Sequence, residues 1–296
     1  MNPISSVWGR LPVILRAIIA GALISLVGYL PRNFLILTNL KVSPTVPWAV
    51  LMMSLYLWVF WRYLGGSGWP QTTAEARRSN LRGRIPTGRL WRWSLLAGGL
   101  ASVALRATLD VVRRLSTRPS QDLIAPEQLN KYPFHTVLLF MLMTAAIAGI
   151  VEEAAFRGYM QKPIEKRYGT TRAILIVAII FCLAHYRFGV QDPWPWLIFT
   201  PAYFAVAVAL GLLAHITDSI VPGVICHAVI DAAAFLRYWW LGIPQSVWVA
   251  GFDTWFWLEC MITVLFAVAA TWAFSQLAQV ARSAKSNDSA EIIPTP

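Results

Sequence analysis

Charge is what this chain has least of. Only 13% of its 296 residues are charged, 57% are hydrophobic, and the mean hydropathy is +0.56. That balance excludes an ordinary soluble domain and predicts a polytopic membrane protein. Cysteine is nearly absent: Cys182, Cys226 and Cys260 lie in apolar stretches without a CxxC or pairable spacing, which argues against a disulfide framework or a structural zinc site. No internal repeat stands out. A basic flank, Arg10 and Arg16, borders the first apolar stretch, but a small-residue cleavage pattern is missing, so the stretch reads as a first span and not a removable signal. Acidic residues are also few, 14 against 25 Lys and Arg, for a net charge of +11. Because that excess sits in short loops between apolar windows, the positive-inside rule explains it without nucleic acid as a partner.

What the chain does have is apolar windows. Crossing about 30 Å of hydrocarbon takes about 20 helical residues, and windows of that kind fall at about 11–30, 46–64, 92–112, 136–157, 172–188, 196–216, 219–238 and 255–275. The expected fold is therefore all-α, a polytopic membrane protein of about eight transmembrane helices. Residues 1–276 form one integral membrane domain, and 277–296 form a polar tail expected to be disordered. Tryptophans cluster near window ends (Trp58, Trp61, Trp91, Trp93, Trp194, Trp196, Trp239, Trp240), as interfacial anchors do. The loops at 62–92 and 157–172 hold seven and five Lys/Arg, so with eight spans both termini are expected in the cytoplasm. The loop at 113–131, with Arg113, Arg114, Arg118 and Lys131, strains that topology. The polar segment Gly65–Arg89 is expected to lie on an anionic leaflet or to serve topology alone. Ser116–Tyr132 reads as the rim of an entrance or as a connector.

Against this background a few ionisable groups stand where a membrane helix least favours them. Glu152 and Glu153 end a nearly uncharged run, and Arg157 follows four residues after Glu153. No helix breaker occurs before Pro163, so all three are expected to continue the helix. Spacing of four puts two side chains on one face, so Glu153 can pair with Arg157, which leaves Glu152 without a local partner. Phe181 and His185, and His227 and Asp231, share that spacing. If Gly169 is the tip of a hairpin, Glu152 lies seventeen residues before it and His185 sixteen after it, and the two meet at one level. The next helix is expected to start near Pro222 after Asp218 or Ser219, with His227 one to two turns in. A carboxylate among imidazoles can activate water directly or on a metal. The blander alternatives are an interhelical hydrogen bond for each His and a structural ion pair for Glu153–Arg157 and for Arg106–Asp110. His215 and His135 have no such partners in sequence and read as interfacial.

The order EExxxR, FxxxH, HxxxD resembles the CPBP family of intramembrane proteases (CAAX proteases and bacteriocin-processing enzymes, also named the ABI family) over about residues 133–240. The resemblance implies an eight-span fold around a cytosol-facing cavity and a glutamate-type endopeptidase that needs no cofactor. In that mechanism Glu152 is the general base, His185 holds the water, and His227 with residue 231 stabilises the oxyanion. Glu153, Arg157 and Phe181 support the site. Position 231 is Asp where family members with demonstrated CAAX activity carry Asn, and an ionised Asp accepts hydrogen bonds without donating. Asp231 would then be protonated, orient His227, or join Glu152, His185 and His227 as ligands of a divalent metal such as zinc. The expected partners are a membrane-associated protein or peptide substrate and the bilayer, with localisation in a bacterial-type inner membrane. The competing classes are a non-catalytic scaffold or immunity protein of the same fold, and a proton-coupled transporter. The transporter is disfavoured because the paired interrupted helices and repeats of many such folds are missing.

Overall fold

Each apolar window winds into helix, since in hydrocarbon a segment must satisfy its own backbone hydrogen bonds. The computed structural model describes residues 8–116, 129–186 and 194–291. Its main elements are α1 (Val13–Val42), α2 (Trp48–Leu64), α3 (Ala74–Leu81), α4 (Gly88–Leu115), α5 (Phe134–Glu152), a π-helical segment (Glu153–Gln161), α6 (Lys162–Tyr168), α7 (Thr170–Ala184), α8 (Trp194–Thr217), α9 (Val221–Leu241), α10 (Val247–Ala250) and α11 (Thr254–Glu291). Among the described residues there is no strand. Among the described residues six helices are long and apolar enough to cross a membrane, and one of these is the continuous run of α5, the π segment and α6. The other two apolar windows fall on α2 and α7, which at 17 and 15 residues are shorter.

Helix bounds differ from the expected windows in three places. The first helix continues twelve residues past 30, to Val42, and its end is organised by Asn39, fully buried: the side chain donates to the carbonyls of Ser43 (2.7 Å) and Val46 (3.0 Å) and accepts from the amide of Ala49 (2.8 Å). That amide ties the α1–α2 turn. At the other end of the chain α11 runs to Glu291, through most of the segment expected to be disordered. The segment Gly65–Arg89 also does more than rest on a leaflet. It contains α3, and buried Arg77 donates to the carbonyls of Tyr63, Ser67, Gly68 and Pro70, folding the connection around one guanidinium.

Arg113 and Arg114 belong to the last turn of α4 and not to a loop. Around them α4, α9 and α11 build an ionic cluster. Buried Asp110 accepts from Arg106, Arg113, Arg237 and the Tyr238 hydroxyl, while Glu259 pairs with Arg237 and, at 3.2 Å, with Arg114. Arg114 also binds Asp253 at 2.9 Å. The Phe256 amide and Arg114 hold that carboxyl below its usual range. Of the basic residues that strained the expected topology, Arg113 is therefore answered by Asp110 of its own helix and Arg114 by Asp253 and Glu259. Arg118 and the greater part of Ser116–Tyr132 lie outside the described residues.

Helices α4 and α11 pack along each other, α5 against α9, and α7 against α8, while α1 covers the π segment. Ile147, Val151, Ala154, Ala155, Val177 and Ala178 form part of the core between them. Two glycines set close approaches. A Cβ on Gly28 of α1 would stand 2.6 Å from the Val151 side chain, and one on Gly149 of α5 would stand 2.7 Å from the Val224 carbonyl of α9. Small residues let membrane helices meet at backbone distance. These two bring α1 and α9 against the end of α5.

Candidate active site

The two glutamates take different surroundings, as their spacing predicts. Residues 153–161 continue the helix as expected, but as π-helix, a rare form that is frequent at functional sites. Bonds from i to i+5 widen each turn beyond 3.6 residues, so side chains four apart stack on one face. Glu153, Arg157 and Gln161 do so, each with no exposed surface. Arg157 donates to Glu153 Oε1 at 3.1 Å and lies 4.8 Å above the Phe181 ring, and Gln161 donates to the Gly211 carbonyl at 2.9 Å. This polar ladder, facing α7, α8 and α9, fixes the register of the site.

Glu152, at the junction of α5 and the π segment, points elsewhere. Its Oε1 accepts from the Tyr29 hydroxyl at 2.6 Å. Oε2 is buried, lies 3.9 Å from His227 Nε2, and has no hydrogen-bond partner among the described residues. Tyr29 escapes sequence reasoning because it lies more than a hundred residues away on a helix that carries no motif. A lone tyrosine flanked by leucine in an apolar window gives no signal by itself.

His227 is held by two carboxylates. Its Nδ1 meets Glu153 Oε1 at 3.0 Å, and its Nε2 is 3.5 Å from Asp231 Oδ2. An ionised carboxylate only accepts, so Nδ1 carries its proton and Nε2 is turned toward Glu152 and Asp231. The hairpin geometry expected for His185 is present: Gly169, at φ +86°, ends α6 and starts α7 in a conformation that glycine adopts without strain. His185 caps α7, its Nδ1 donates to the Phe181 carbonyl at 2.8 Å, and its ring stacks on Tyr203 with centroids 4.6 Å apart. The start of α9 follows the expected pattern, with Pro222 in the first turn and the Ser219 hydroxyl accepting from the Val221 amide at 3.1 Å.

Glu152, Phe181, His185, His227 and Asp231 line one cavity of about 230 Å³, so the three motifs are brought together. Arg106 and Arg113 line it too. The Arg106–Asp110 pair, read as structural from its spacing, thus also contributes a cation to the cavity wall. His215 and His135 lie outside this cavity. Each finds a partner far along the chain: His215 bonds Glu165, and His135 Nε2 meets the Thr45 carbonyl at 2.7 Å. Among the described residues no group of three or more His, Cys, Asp or Glu is arranged to hold a metal ion. Glu152, His185, His227 and Asp231 share the cavity without forming a ligand shell.

With this geometry established, residues 134–233 match the model of a family described as Rce1-like, type II CAAX prenyl endopeptidase Rce1-like. The matched stretch holds all three motifs and bears out the resemblance drawn from them. No curated protein and no solved structure matches the chain. An integral membrane protein similar to a membrane protease family is the result.

Proposed function

We propose that the chain is an intramembrane endopeptidase that hydrolyses a peptide bond in a membrane-associated protein or peptide with water activated by Glu152. The observation that carries this is the asymmetry of the Glu152 carboxylate. One oxygen is fixed by Tyr29, while the other, without a hydrogen-bond partner among the described residues, is 3.9 Å from an imidazole in a cavity. A general base needs one such oxygen to take a proton and a second contact to hold its orientation.

The remaining residues supply the other parts. His185, whose Nδ1–H is committed to the Phe181 carbonyl, offers Nε2 as an acceptor for the same water. His227, with Nδ1–H committed to Glu153, becomes a donor for the developing oxyanion once Nε2 also carries a proton. As Glu153 already orients His227, Asp231 is left to tune the charge around Nε2. Arg157 holds Glu153 in place, and Phe181 holds His185 through its carbonyl. The route uses no metal or other cofactor. The cavity opens to the cytosol, and both termini lie on that side of a bacterial-type inner membrane, with the bilayer and a membrane-associated peptide as partners.

The test is cleavage of a pooled library of membrane-proximal peptides by purified protein in detergent, wild type against Glu152→Gln, with and without phenanthroline. Cleavage lost in the variant and untouched by the chelator is the expected result. Cleavage unchanged by Glu152→Gln would sink the assignment of the base. Loss on chelation would move Glu152, His185, His227 and Asp231 to metal ligands.

A further inference from the structure

A second cavity, of about 610 Å³, lies between the α2–α4 connection and α6, away from the motifs. Its lining includes Arg62, Arg78, Arg82, Arg84, Lys162 and Lys166, against only Glu75 and Asp218 as acids. Arg82 is buried and bound to Glu165 and the Ala214 carbonyl, so its charge is answered inside the protein. The other five are answered less well. Asp218 is shared by Lys162 at 2.6 Å and Arg84 at 3.3 Å, and Glu75 stands 3.5 Å from Arg78 with both side chains largely exposed. Lys166 bonds a neutral partner, Ser79 Oγ, at 2.9 Å, and Arg62 lies over the Trp58 ring at 5.6 Å. Like charges around a concave space focus a positive potential, which draws in an anion.

Position names the anion. The cavity is framed by the ends of apolar helices: the C-terminus of α2, the α6 turn after the π segment, and the turn between α8 and α9 that carries Asp218. Trp61 forms part of its wall. Helix ends with an indole mark the headgroup level of a bilayer, and basic pockets between membrane helices at that level suit phosphate headgroups. Guanidinium forks match phosphate geometry in pairs. We propose that this cavity binds a phosphate-bearing anion, the headgroup of an anionic phospholipid.

The test uses delipidated full-length protein in neutral detergent, with the thermal midpoint followed during titration with phosphatidylglycerol, phosphatidylcholine or inorganic phosphate. Phosphatidylglycerol is expected to raise the midpoint saturably and more than phosphatidylcholine. Arg84→Gln and Lys166→Gln should each weaken half-saturation about fivefold, as about 1 kcal/mol per basic residue implies. Both positions are exposed, so each variant's midpoint without lipid serves as its folding control. Lys41→Gln, at the opposite end of the α1–α2 hairpin, should titrate as wild type does. If inorganic phosphate gives the same saturable rise, lost in the same two variants, the site stands with a soluble phosphate as its source. Equal response to both lipids, no response to any probe, or titrations in Arg84→Gln and Lys166→Gln indistinguishable from wild type overturns the proposal.

Discussion

Asp110 and Glu152 are both carboxylates inside membrane-length helices, and the structure treats them in opposite ways. Both oxygens of Asp110 are engaged, by three arginines and a tyrosine drawn from α4 and α9. Glu152 has one hydrogen bond, from a neutral tyrosine, and a second oxygen without one among the described residues. Burial of a charge is tolerated when it is paired and hydrogen-bonded. A carboxylate kept partly unsatisfied at the same cost in desolvation is a candidate for chemistry. Glu153 lies between the extremes, shared by Arg157 and His227 and so structural and orienting at once.

The comparison predicts its largest separation in a pair of neutralising changes. Glu152→Gln should lower the cleavage rate by about 10²–10⁴-fold, the usual worth of a general base, with the size-exclusion profile of the folded protein retained. Asp110→Asn removes the one charge that three arginines share and should cost about 3–5 kcal/mol, read as loss of monodisperse protein in detergent. If instead Asp110→Asn folds normally and Glu152→Gln does not, the contrast between the two carboxylates is wrong.

Arg157→Ala comes next. It strands Glu153, whose side chain has no exposed surface, and about 3–5 kcal/mol of stability should go with it. The check is thermal unfolding in detergent, where a midpoint within a degree of wild type would reduce the pair to a bystander. Tyr29→Phe should lower that midpoint by less than Arg157→Ala does, since a hydrogen bond to a charged group is worth about 1.5–3 kcal/mol, and should slow turnover because the Glu152 carboxylate loses the contact that orients it. A change confined to KM would place Tyr29 in substrate binding instead.

The smallest effect is expected at Asp231→Asn. Glu153 already holds His227 through Nδ1, so exchanging an acceptor for a donor 3.5 Å from Nε2 should alter the rate by no more than about tenfold. A loss as large as that of Glu152→Gln would return Asp231 to an essential role.

The helices, the three motifs and the pairing of Glu153 with Arg157 were legible from residue type and spacing, because apolar length and i,i+4 geometry are local properties. The hairpin at Gly169 and the start of α9 were legible for the same reason. Tyr29, Gln161 and Arg106 escaped notice as site neighbours, since each reaches its partner or the cavity across a large sequence separation. The partner of His215, Glu165, could not be read from the sequence because it is fifty residues away.

Sequence alone therefore determined that this is an all-helical membrane chain with carboxylate, imidazole and guanidinium groups at helical spacing inside its apolar windows. Hydrophobicity and helical period act within a few turns, so they can be read without a fold. Tertiary structure decided the π winding of 153–161, the tyrosine that holds Glu152, and which buried charges are satisfied. These depend on close packing of α1 and α9 at Gly28 and Gly149, and on partners that only the folded chain brings within hydrogen-bond distance.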